Sequence, residues 1–103
     1  MVARTRNVDV LNNVLGPPRF QLGRILATAG AIQTFPMRFL GMAVAFHERG
    51  RWGEQCPEDA AANERAVQAG ERVISCYSRN GVRLWVITEA DRSVTTCLLP
   101  SEY

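Results

Sequence analysis

With 103 residues, the chain can build one hydrophobic core and has no room for a second domain. Hydrophobic residues make up 47% and charged residues 21%, which excludes an intrinsically disordered chain. A formal charge of +2, from 12 basic and 10 acidic residues, is too small by itself to demand a polyanionic partner.

Residues 1–19 mix single apolar residues with Arg4, Arg6, Asn and Asp and close on Gly16-Pro17-Pro18, where the prolines forbid a continuing helix. This segment is expected to be a flexible N-terminal arm ahead of a single α+β domain over 20–103. Phe20–Ala27 reads as a short strand or an extended lead-in. Thr28 can cap a short helical segment over 29–33. Pro36–Arg49 is the clearest helix, its stripe of Phe39, Met42, Ala43 and Phe46 widened by Leu40, Val44 and Ala45. Gly50 ends it. Pro57–Ala69 is a second helix, with proline first, acids in the first turn and Gly70 beyond the end.

From Arg72 the hydrophobic period changes from helical to two. Arg72–Arg79, Asn80-Gly81 and Val82–Thr88 form a hairpin, because Asn and Gly accept the positive φ angles of a type I′ turn. With Arg79 opposite Val82, one face carries Val73, Ser75, Tyr77, Leu84 and Val86. The other carries Ile74, Cys76, Trp85 and Ile87 together with Arg72, Arg83 and Glu89. A third strand, Ser93–Leu99, follows through Ala90-Asp91-Arg92 and stops at Pro100. The expected fold is therefore α+β, with two to three N-terminal helices followed by a small antiparallel sheet.

The hairpin register sets Arg72 across from Glu89 and gathers Asp91 and Arg92 at the same sheet corner. Arg72, Arg83 and Arg92 are candidate phosphate ligands, because guanidinium groups grip phosphate bidentately. The structural alternative pairs Glu89 with Arg72 across the strands, closes the Asp91 turn on itself and gives Arg92 the C-terminal carboxylate or Glu102. His47 would be a general acid, with Glu89 as base, only if the fold brought it within hydrogen-bond reach of Glu89 or Asp91. Tyr77, Trp85, Asp91 and the loop residue Trp52 are candidate interaction residues. Cys56, Cys76 and Cys97 lack zinc or dithiol spacing and read as small apolar side chains, so no metal and no cofactor is expected. The N-terminus lacks a secretory signal and the longest apolar run is too short to cross a bilayer, so a soluble cytoplasmic protein without a membrane partner is expected.

Arg72–Ser78, Val82–Thr96 and Leu98–Tyr103 resemble a family of small, mostly uncharacterised bacterial proteins associated with plasmids and phages, ending in a strand, an E-A-D-R-S turn and a strand. A weaker similarity, in element order, is to small microbial ribonucleases, from which the chain departs by lacking a late histidine. The first resemblance implies a non-catalytic interaction protein of a mobile genetic element, such as an anti-CRISPR-like inhibitor of a host defence complex. Apolar residues on both hairpin faces and along a wide helix stripe exceed what one small core consumes, which points to a protein partner or a homodimer. The alternative is nucleic-acid binding, or metal-independent RNA cleavage, through the arginine and carboxylate corner.

Overall fold

The computed structural model describes residues 12–103. Of the expected arm, residues 1–11, with Arg4 and Arg6, lie outside the described residues. Residues 12–15 are helical. They and Gly16 are tied to the body by Arg49, whose Nε donates to Gly16 O at 2.9 Å and whose Nη2 donates to Asn12 Oδ1 at 3.1 Å.

The chain is α+β, but its sheet is mixed and has four strands. These are β1 (Arg24–Ala27), β2 (Val73–Arg79), β3 (Val82–Thr88) and β4 (Val94–Leu98), in the spatial order β1-β4-β3-β2. The antiparallel part is as the hairpin dictates, with Arg79 paired to Val82 and Val73 to Thr88. Asn80 and Gly81 make the bend at φ 54° and 79°. The expected all-antiparallel sheet following the helices is corrected by β1, which precedes them and pairs parallel to β4, Arg24 with Val94 through Ala27 with Cys97. Gly23, at φ 65°, lets the chain enter this pairing, because a Cβ there would lie 2.2 Å from Ser93 O.

Three helices lie between β1 and β2: α1 (Ala29–Thr34), α2 (Met37–Glu48) and α3 (Pro57–Ala69). Thr28 caps α1, its Oγ1 accepting from Ala31 N. Pro57, Glu58 and Asp59 open α3, and Gly70 closes it in the left-handed conformation. The buried stripe of α2 is rotated from the expected one: Leu40, Ala43, Val44 and His47 face inward, while Met42 is exposed.

Phe35, Leu40, Ala43 and Val44 pack on Tyr77, Leu84, Val86 and Cys97 across one sheet face. Burying Leu84 and Val86 completely contributes roughly 1.5–3 kcal/mol each. A second cluster joins Trp52, Ala66 and Val73 to Phe20, Ala60 and Val67. The opposite sheet face is covered in part by the chain's own end, a 3₁₀ turn over Pro100–Glu102 followed by Tyr103, whose ring meets Trp85 edge-on at 5.4 Å.

The free edge of β2 is sealed. Cys76 N donates to Trp52 O and Glu54 N to Cys76 O, while the Asn63 amide both donates to Ile74 O at 2.7 Å and accepts from Ile74 N at 3.1 Å. Gly53, at φ 77°, permits this close approach, since a Cβ would meet Cys76 O at 2.0 Å. An otherwise open ladder edge is thereby satisfied by α3 and its preceding loop.

Candidate nucleic-acid interface

The corner forms as the register requires. Arg72 Nε donates to Glu89 Oε1 at 3.2 Å, and Arg72 Nη1 donates to the Tyr103 hydroxyl at 2.5 Å. The Glu89 carboxylate, then Tyr103, raises the Arg72 pKa above its ordinary value. Asp91 accepts from Ser93 N and Ser93 Oγ, which closes its own turn and holds its carboxyl below the usual range.

Arg92, the third candidate phosphate ligand, engages the backbone rather than Glu102. Its guanidinium donates to three backbone carbonyls, Glu71 O at 2.6 Å, Ala66 O at 3.0 Å and Glu89 O at 3.1 Å. It thus ties the end of α3 to the β3–β4 turn, and its donors compensate the left-handed backbone at Arg92, φ 60°. Glu102 instead accepts from Thr28 Oγ1 at 2.6 Å and Leu99 N at 2.8 Å, which together lower its pKa.

His47 does not approach the corner. It is fully buried, with Nδ1 2.6 Å from Ser75 Oγ and Nε2 2.8 Å from Thr88 Oγ1. Thr88 Oγ1 lies 2.6 Å from Thr95 Oγ1, which donates to Leu22 O at 2.8 Å. The terminal carbonyl accepts only, so the chain has one consistent direction. Thr95 donates to Leu22, Thr88 to Thr95, His47 Nε2–H to Thr88, and Ser75 to an unprotonated Nδ1. Burial first, then the Arg92 charge, pushes the His47 pKa down to about 3. A buried, neutral ring with both nitrogens engaged is no general acid, and the His47–Glu89 cleavage pair is thereby corrected.

Trp52 is also enclosed rather than presented. It stacks on Phe20, centroids 6.3 Å apart, and its Nε1 donates to Glu64 Oε2 at 3.0 Å. Arg19 grips the same carboxylate through both terminal nitrogens, at 2.8 and 3.0 Å, which lowers the Glu64 pKa. Tyr77 is buried against Phe46 and donates to Arg51 O at 2.5 Å.

Trp85 remains accessible. On the sheet face away from α2 it forms part of a cleft of about 480 Å³ with Ile74, Cys76, Tyr103, Arg72 and Arg83, walled on the other side by α3. Arg83 is held only by a loose contact with Glu54, 3.8 Å, with both side chains largely exposed. Exposed pairs such as this and Arg72–Glu89 are worth about 0–1 kcal/mol, so neither arginine is locked to its carboxylate. The cleft offers an aromatic surface, two exchangeable guanidiniums and the acids Glu54, Asp59 and Glu71. Sequence reasoning found its arginines and Trp85 but missed Tyr103, which the fold brings back across the sheet.

The chain is similar to large ribosomal subunit protein uL16c. It is 42% identical over 53 residues to that protein from Landoltia punctata and from Nymphaea alba, a stretch that is 52% of this chain and 38% of each relative. The chain thus matches well under half the length of these curated relatives. No family model matches it, and no solved structure matches it. The similarity to ribosomal proteins overturns the expected membership of a plasmid and phage family, and with it the anti-CRISPR-like inhibition of a host defence complex. Among the described residues no helix is long and apolar enough to cross a membrane.

Proposed function

We propose that this protein binds RNA without cleaving it, and that the cleft around Trp85 is its contact surface. The observation that carries the reading is the 42% identity to uL16c, a protein named for the large ribosomal subunit. Large-subunit ribosomal RNA is the proposed partner class, and the cytoplasm the proposed setting.

The chemistry of the cleft supports this assignment. Unpaired bases stack on aromatic side chains, at roughly 1–3 kcal/mol per base. Trp85 supplies such a surface, while Arg72 and Arg83 stand at its margin to take phosphates. Charge-assisted bidentate contacts outcompete surface ion pairs worth a fraction of that energy. The three free thiols fit a reducing compartment.

Fluorescence anisotropy with a labelled large-subunit ribosomal RNA fragment, titrated with salt, tests the proposal. The affinity should fall linearly on a double-logarithmic plot, and Arg72→Gln and Arg83→Gln should each reduce the slope by about one. Salt-independent binding, or none at low salt, would reject it.

A further inference from the structure

The two edges of the sheet are treated differently. The β2 edge is sealed by Asn63 and the Trp52–Glu54 segment, whereas no strand among the described residues pairs with the outer edge of β1. Arg24 N donates to Ser93 O and Thr28 N to Cys97 O, both at 3.0 Å. Parallel pairing engages alternate residues, so the backbone N–H and C=O of Ile25 and Ala27 point away from the sheet. Beside this ladder the surface is apolar. Ile25 is 56%, Leu26 42% and Met37 71% exposed, and Ile25, Met37, Leu40 and Val44 border a groove of about 360 Å³. Apart from Arg24, the edge carries none of the charges, prolines or bulges that discourage pairing.

We propose that this edge pairs antiparallel with β1 of a second copy, forming a symmetric dimer with one continuous sheet. The outward-facing residues select the register, with Ile25 opposite the partner's Ala27 and Leu26 opposite the partner's Leu26 on the two-fold axis. This register places Arg24 opposite the partner's Thr28. Each Thr28 hydroxyl holds the Glu102 carboxylate at 2.6 Å, and Arg24 makes no ion pair among the described residues. Arg24, Leu26 and Thr28 share one sheet face, so each Arg24 meets the partner's Glu102 and the ends of the edge complement each other in charge. On the other face each Ile25 enters the partner's groove beside Met37. A second copy satisfies the ladder, both apolar sides and the charges together. The short strand implies a dissociation constant in the micromolar range.

Sedimentation equilibrium of the full chain and its Leu26 variants tests the pairing. Wild type should dimerise. Leu26→Glu and Leu26→Arg, each placing like charges together on the axis, should be monomeric with unchanged far-ultraviolet dichroism, and an equimolar mixture should restore a heterodimer. Should either variant misfold, Arg24→Glu, at an exposed position, should weaken the dimer about tenfold by facing the partner's Glu102. A wild type that stays monomeric up to millimolar concentration would leave the edge to an extended segment of another protein and overturn the proposal. So would a folded Leu26→Glu or Arg24→Glu variant that dimerises as tightly as wild type.

Discussion

Lowering the pH from about 8 to about 5 should destabilise the protein chiefly through His47. The ring has an ordinary pKa of 6.5, pushed down to about 3 in the folded chain by burial and by Arg92. Its folded pKa is therefore the lower one: below pH 6.5 the unfolded chain takes up a proton that the folded chain refuses. Stability falls as the pH drops, by about 1.4 kcal/mol per unit once well below 6.5, giving about 2 kcal/mol between pH 8 and pH 5. The carboxylates with depressed values, Glu64, Asp91 and Glu102, lose their contribution only at and below their ordinary values of 4.5, 3.8 and 4.5. The upper window is left to the histidine. Urea unfolding at several pH values reads the effect directly, and nitrogen-15 shifts of the imidazole should report a neutral Nε2–H tautomer down to pH 5. Stability that is flat across this window, or a ring that protonates near 6.5, would refute the buried Ser75–His47–Thr88–Thr95 chain.

Arg92→Ala removes three charge-assisted bonds while keeping a side chain at φ 60°, and should cost roughly 2–4 kcal/mol in urea unfolding. Gly81→Ala, at φ 79° with open space around it, should cost about 1 kcal/mol from backbone strain alone, measured the same way. In thiol titration with an aromatic disulfide, exposed Cys56 should react at once. Cys76 and Cys97 should wait for unfolding, because both are buried and burial raises their pKa values, that of Cys97 to about 11.

Local chemistry made the hairpin and its corner legible. Asn80-Gly81 permits one bend, that bend fixes the register, and the register delivers the Arg72–Glu89 pair. Proline, acids and glycine likewise marked both ends of α3. β1 was less legible because a four-residue strand with imperfect alternation takes its identity from β4, distant in sequence. Trp52, a loop residue expected to make an interaction, is instead enclosed by long-range packing under α3. The placement of His47 did leave a signal. Ser75, Thr88 and Thr95 sit at inward positions of three strands, where a buried hydroxyl needs a partner, and the one histidine on α2 supplies it.

The most direct test of RNA binding in the cleft is a nitrogen-15 correlation spectrum recorded as a single-stranded fragment of large-subunit ribosomal RNA is added. Shifts should concentrate at Arg72, Ile74, Cys76, Arg83, Trp85 and Tyr103, with the Trp85 indole resonance moving and that of Trp52 still. Shifts clustered on another surface, or a moving Trp52 indole beside a silent Trp85, would contradict it.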